Sequence, residues 1–574
     1  MIKNDLRIEI LGTIINISAE EEPEYLKKIL DKYRKKIEDI QNISGIKDPL
    51  TIAVLTGFIL SEELEKAGQY AMDHYSEDTV EAERLALGII TRLEECIPDE
   101  LPQKHEDTAD IVKLQNTIKH YDWGSPEWIP SLMGQKNPER IPWAELWMGI
   151  NNAGPSRSHG TKPELLSEMI IKNREAMLGK ACAAKFGNLP FLFKLIAVAK
   201  PLSIQAHPSA AQAREGFDRE NTEGLPFDEP ARNYRDPMHK PELICALSPF
   251  AALCGFREKE EIYSLIQKVS QISDGILKEG LEKLCSALMQ ENGETDENPY
   301  KTFLEALFDM DTTGLGTFLM KRETLLERDF PEYSGEWKIC SYLANLFPSS
   351  SKVSADAAGF THSCDPGILA PLFMNIIELK PGEAMYIPAG IIHSYIHGLG
   401  IELMADSDNV IRAGLTKKHI DRDELFKTLN FSEYRPEIIK APLCGSLTDS
   451  PSSFCYPDQY EEFSLSVLKS YGHAIHFSRT NPSIILVSDG TVSVVVSENS
   501  AEDPEGSSPE QKPQEMVLKA GESIFVPAGK KLVLSGYFYA HAASSAITGE
   551  AEDSDVDGET KVTGENKVTG EAGC

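Results

Sequence analysis

The sequence predicts a mainly β protein. It should hold two copies of one small β-barrel, a helical insert domain, and a small α+β domain at the front. Three observations carry this expectation. Residues 382–390 (GEAMYIPAG) match residues 521–529 (GESIFVPAG) at a constant offset, each a turn, a short apolar strand and a Pro-Ala-Gly corner. Apolar segments broken by Gly and Pro run over 111–256 and return from 371 to 546. Between them, 257–347 is mostly helical by period, with Ile262, Leu265, Ile266, Val269 and Ile272 as its clearest stripe.

Taken in order, residues 6–17 alternate like a hairpin around Gly12. Pro23 opens a helical stretch marked by Leu26, Leu30, Tyr33 and Ile37. Asp48 and Pro49 read as N-cap and first residue of a longer helix through Ile52, Leu55, Phe58, Leu60 and Leu64. A third periodic stretch covers 80–97. Polar, acidic residues 98–110 form the linker, so the front domain and the linker start occupy 1–100. The rest divides into 111–256, the helical 257–347, 371–440 and 441–548. The Ser/Ala-rich 348–356 and the Glu/Ser/Pro-rich 497–514 read as inserted loops. Residues 549–574 carry eight acids, two lysines and no large hydrophobe. They cannot bury enough apolar area to offset chain entropy and are expected to be disordered.

Composition excludes several classes of function. The chain has 574 residues and a net charge of -33, which repels phosphate backbones and anionic lipid. Nucleic acid and membrane are therefore not expected partners. The longest apolar run, 50–60, is about half the ~20 residues a bilayer span needs. Ten scattered cysteines without a C-x-x-C pair fit a reducing cytoplasm.

The two repeat copies differ where chemistry would sit. Three residues beyond the corner glycine the first copy has His393, and the second has Leu532. One barrel is thus fitted for polar chemistry and the other for packing. In 202–208 (LSIQAHP), Ser203, Gln205 and His207 share one face of a strand while Ile204 and Ala206 share the other. Polar side chains on a buried strand need partners, unless this is the outer face of an edge strand. Glu242, in HKPE at 239–242, precedes an apolar run and is either a surface carboxylate or a third ligand. Two imidazoles, a carboxylate and an amide oxygen suit a borderline divalent cation. Without a thiolate, and with open positions, the set favours a catalytic zinc.

These motifs are recognisable. Residues 111–548 resemble the type I mannose-6-phosphate isomerase family, zinc enzymes built on two cupin domains. The marks are HYDWG at 120–124, AELWMG at 144–149, LPFLFK at 189–194, LSIQAHP at 202–208, HKPE at 239–242, YIPAGIIH at 386–393 and SDNVIRAGLT at 407–416. The resemblance implies one Zn2+ per chain, held by Gln205, His207, Glu242 and His393. It makes 111–256 and 371–440 the catalytic cupin and 441–548 a second, metal-free one. It gives Arg412 the place of an active-site arginine, and Lys240, His239 and Asp408 those of proton-transfer candidates. Ser203, Tyr395, Glu402, Lys417 and Trp123 match substrate-pocket positions, the substrate being a small sugar phosphate.

Aldose–ketose isomerisation moves a proton between C1 and C2 through an enediolate, which needs a base and charge stabilisation. Lys240 is the expected base, and Arg412 is suited to the enediolate or to the substrate phosphate. Residues 1–97 resemble the ZapA family of division proteins, through IEILG at 8–12, PEYL at 23–26 and the apolar stretch 48–64. Self-association or contact with a division protein through 1–97 is implied. An alternative is a division-associated adaptor whose cupin part binds sugar phosphate without catalysis. Intact ligand positions and Arg412 argue for the enzyme. A metal-dependent oxygenase is disfavoured by the Gln205 position and by the 407–416 motif.

Overall fold

The computed structural model describes residues 4–10, 13–19, 109–227, 229–289, 298–347, 354–355, 361–362, 364–440, 452–497 and 515–547. The chain divides into two compact units, Met1–Glu106 and Asp107–Cys574. In the first, strands Asn4–Ile10 and Thr13–Ala19 pair antiparallel with Ile10 opposite Thr13, the expected hairpin. The helices expected over 23–97, the 497–514 loop beyond its first residue, most of 348–356 and the tail lie outside the described residues.

The second unit carries two large antiparallel sheets. In the first β unit, strand Phe191–Val198 (FLFKLIAV) is buried at every residue, its apolar run interrupted only by Lys194. It lies between Glu145–Met148 and the long strand His393–Ala405. Early in its course that long strand pairs with Phe250–Phe256 and Ile204–Ala206, and later with Glu242–Ala246. Strand Ile411–Gly414 then adds to Ile204–Ala206. The short strand bearing Gln205 is thereby held between the strand of His393 and the strand of Arg412.

The second β unit is built around Ser483–Val496 paired with Lys531–Ser544. The internal repeat survives in backbone angles. Gly382 and Gly521 have φ of 83° and 84°, and Gly390 and Gly529 have 79° and 76°. These are left-handed values that favour glycine at both turns. The sequence division differs from the topology at one point. Strand Val112–Gln115 pairs with Ser523–Val526, and Arg157–Ser158 pairs with it in turn. The start of the 111–256 segment therefore lies in the sheet of the second β unit. Val112 and Leu114 are both buried, and a strand beside 523–526 covers them. One apolar cluster, including Phe193, Leu243, Tyr386, Leu465, Leu486 and Phe525, joins the two β units.

Residues 257–347 form helices Lys259–Gln271, Gly275–Leu288, Pro299–Phe308, Leu315–Asp329 and Ser334–Leu346. Ile262, Leu265, Ile266 and Val269 are all buried in one core, with Ile272 packed partly against it. Asn298 caps the third of these helices by accepting from the Tyr300 and Lys301 amides, with Pro299 in its first turn. Among the described residues no helix is long and apolar enough to cross a membrane.

Candidate metal centre

Strand ends converge to make the site. Gln205 sits mid-strand, His207 just beyond it, and Glu242 and His393 each open a strand. Gln205 is the register partner of both His393 and Arg412, because Ile204–Ala206 lies between their strands. Period-two alternation sends Ile204 and Ala206 into the core and leaves Gln205 on the site face. Ligand atoms of His207, Glu242 and His393 all lie within 4.8 Å of one another, and all three residues are buried.

Both imidazoles are held in one orientation. His207 Nδ1 lies 2.7 Å from the Asn409 carbonyl oxygen, and His393 Nδ1 lies 2.9 Å from that of Ile391. A carbonyl only accepts, so each Nδ1 carries the proton and each Nε2 presents its lone pair inward. His207 Nε2 lies 3.1 Å from Glu242 Oε1, and His393 Nε2 lies 3.4 Å from Glu242 Oε2. The Gln205 amide stands 3.5 Å from His393 Nε2. A half-turn about its last bond brings either amide atom to that side.

Electrostatics keep the donors in ligand form. Burial, then Lys240, pushes His207 down to about 4, so its ring is neutral at neutral pH. Burial pushes the Glu242 carboxyl up, but its charged neighbours, Lys240 among them, outweigh it and hold the group well below the usual carboxylate range. Lys240 Nζ lies 3.2 Å from Glu242 Oε1. His207 Nε2 and Glu242 Oε2 are nonetheless buried without a hydrogen-bond partner among the described residues. Unpaired buried acceptors of this kind are costly, and a cation is the group that satisfies both at once. Two nitrogens, a carboxylate and an amide fit zinc with room for further oxygens.

A charged wall stands beside the ligands. Lys194 Nζ is 2.8 Å from Glu402 Oε2 and 3.9 Å from Glu145 Oε1, all three buried. Trp147 Nε1 donates to Glu145 Oε2 at 2.8 Å. Burial pushes the Lys194 ammonium down, but Glu402 and Glu145 outweigh it and keep it charged. Tyr395 is buried with its ring 6.2 Å from that of His393, and burial followed by Glu402 holds its phenol protonated. Tyr121 is raised by burial and then by Glu145. Burial and then Arg235 lower Arg412, while burial, Arg412 and Arg235 together lower Lys418. Positive charges that oppose one another in this way favour a nearby anion.

Among the residues expected from sequence, the structure brings together Gln205, His207, Lys240, Glu242, His393, Tyr395 and Glu402. Trp123 is half-buried and stacks on Tyr121 with centroids 5.7 Å apart, and Ser203 and Asp408 are half-buried. His239 turns elsewhere: its Nε2 is 2.8 Å from Glu462 Oε1, on the second β unit. Lys417 and its neighbour Lys418 are both exposed, and Arg412 is among the groups that lower Lys418. Sequence reasoning passed over Lys194, Glu145, Arg235, Lys418 and Asn409. Lys194 had a usable signal, since a lone charge inside an apolar strand demands a partner. Asn409 orients His207 through a backbone carbonyl, which no residue type announces.

Comparison with known proteins points to one family for most of the chain. Residues 111–259 match the family model for the catalytic domain of type I phosphomannose isomerase, and 6–97 match that of cell division protein ZapA. Mannose-6-phosphate isomerase of Salmonella typhimurium is 34% identical over 435 residues, covering 74% of this chain and 96% of that protein. Mannose-6-phosphate isomerase 2 of Arabidopsis thaliana is 30% identical over 448 residues, covering 74% and 91%. A crystal structure of the Salmonella typhimurium enzyme bound to fructose 6-phosphate and zinc aligns with a TM-score of 0.55. It shares 30% identity and covers 76% of this chain and all of its own.

Proposed function

The chain belongs to the mannose-6-phosphate isomerase family, and from that premise we infer that it interconverts mannose 6-phosphate and fructose 6-phosphate. One observation carries the reading: three buried ligand atoms converge with both imidazole Nδ1 groups anchored and two acceptors left unpaired. Gln205, His207, Glu242 and His393 would hold one zinc ion. Bound there, zinc supplies Lewis-acid polarisation of the sugar oxygens and stabilises negative charge as it develops on them.

The chain's own groups divide the remaining work. Lys240, buried beside Glu242, is the base that moves the proton between C1 and C2. Asp408, half-buried next to Asn409, is the second proton-transfer candidate, and His239 is third because its ring is engaged by Glu462. Arg412, Arg235 and Lys418 receive the phosphate and gain from its charge what their mutual repulsion costs. Tyr395, Glu402 and Lys194 form a rigid polar wall against which the sugar hydroxyls are oriented. Ser203, Trp123 and Lys417 complete the substrate side. The seven described cysteines are all free, which supports a reducing cytoplasm.

A coupled assay on purified protein with mannose 6-phosphate tests the reading. Activity should vanish after chelation and return with zinc. Folded, zinc-loaded protein that fails to turn over the substrate would overturn it and promote the adaptor alternative. The ZapA match at 6–97 further supports self-association through the front segment. A monomeric mass for the full chain in solution would count against that.

A further inference from the structure

We propose that Asn409 is a positioning residue that locks the metal end of the site to its anion-binding end. This rests on the functional reading above and adds a role to a residue outside its ligand and substrate sets. Asn409 is fully buried, in the turn between strands His393–Ala405 and Ile411–Gly414. Its backbone carbonyl accepts from His207 Nδ1 at 2.7 Å. Its side chain reaches across to the loop that leads into HKPE. Oδ1 accepts from the Arg235 amide at 2.8 Å and the Asp236 amide at 3.3 Å. Nδ2 donates to the carbonyl oxygens of Asp236 at 2.8 Å and Met238 at 2.9 Å, and to Asp236 Oδ1 at 3.2 Å.

This set fixes which way the amide points. Two backbone N–H groups can meet only its oxygen, and two carbonyls can meet only its nitrogen. No other residue type of that size supplies both. The loop it grips carries Arg235 and runs on to Lys240 and Glu242, and Arg412, three residues beyond Asn409, is the register partner of Gln205. One residue therefore sets the aim of a metal-binding imidazole and the position of the loop that carries Arg235. Second-layer contacts of this type typically change metal affinity or activity by about 10–100-fold when lost.

Asn409→Asp keeps the size and the acceptor, removes both donors, and sets a carboxylate against the Asp236 carboxylate. The readouts are zinc affinity by indicator competition, the inhibition constant of inorganic phosphate, and KM and kcat separately. Zinc affinity should fall about 10–100-fold, and phosphate and sugar-phosphate binding should weaken with it. Asp236→Asn in the same chain removes the repulsion between the two carboxylates, and should recover part of both losses. If Asn409→Asp alone fails to fold, the paired variant supplies the measurement against wild type. A folded Asn409→Asp protein of lower melting temperature but unchanged zinc and phosphate binding would overturn the proposal. Zinc and phosphate binding do not require turnover. An inactive wild type would thus break the functional reading while leaving the positioning role measurable.

Discussion

The two β units share a corner and differ in what they place beside it. Glycines with φ of 83° and 84° open the matching segments, and glycines with φ of 79° and 76° close them. Three residues later one unit has His393 and the other Leu532, both buried to 1% exposure. Around Leu532 the interior is filled by apolar neighbours such as Ile485, Val487, Leu518 and Phe538. Around His393 the same architecture leaves a carboxylate, an imidazole and an amide facing one point. The lesson is that this scaffold does not dictate chemistry. A few residues at strand ends do, and the backbone that presents them also accommodates a plain core.

Making the first unit resemble the second is the severest way to break the comparison. His393→Leu removes a ligand and sets an apolar group against Glu242. It should lower kcat/KM by about four orders of magnitude, over 5 kcal/mol at roughly 1.4 kcal/mol per decade. Steady-state kinetics on folded protein checks this. Lys194→Met strikes the charged wall instead, leaving Glu145 and Glu402 buried without their cation. A loss of about 3–5 kcal/mol in denaturant unfolding is expected, whereas adding Glu402→Gln should return part of it.

The smallest effect belongs to His541, the buried imidazole of the second unit. It is fully buried, neither ring nitrogen has a hydrogen-bond partner among the described residues, and Tyr539 packs edge-on at 5.0 Å. Burial pushes it down from 6.5 to about 3. Between those values the unfolded chain binds more protons than the folded one, so stability present above 6.5 is lost as pH falls through the window. His541→Leu should remove that dependence, worth about 2 kcal/mol at pH 5 at roughly 1.4 kcal/mol per unit, with little change at pH 7. Parallel acid slopes for the two proteins would contradict it.

Much of this could be read before any fold was known. The corner repeat announced two related β segments, and the contrast of His393 with Leu532 located the chemistry in the first. Alternation in 202–208 placed Gln205 on one face and Ile204 and Ala206 on the other, as observed. What escaped was set by tertiary pairing. Val112–Gln115 carries ordinary strand alternation, and nothing local says that its partner is Ser523–Val526. Likewise His239 and Lys240 are adjacent in sequence, yet one side chain meets Glu462 and the other Glu242. Lys418 stands beside the expected Lys417, both are exposed, and the influence of Arg412 on Lys418 is a tertiary effect that the sequence does not announce.

The central claim is that the first β unit alone carries the metal chemistry. Metal analysis of purified full-length protein, of His393→Leu and of Leu532→Ala tests it most directly. The account predicts one zinc per chain in wild type, one in Leu532→Ala, and none retained in His393→Leu after dialysis against a weak chelator. Zinc that stays with His393→Leu, or leaves with Leu532→Ala while the fold persists, would contradict it.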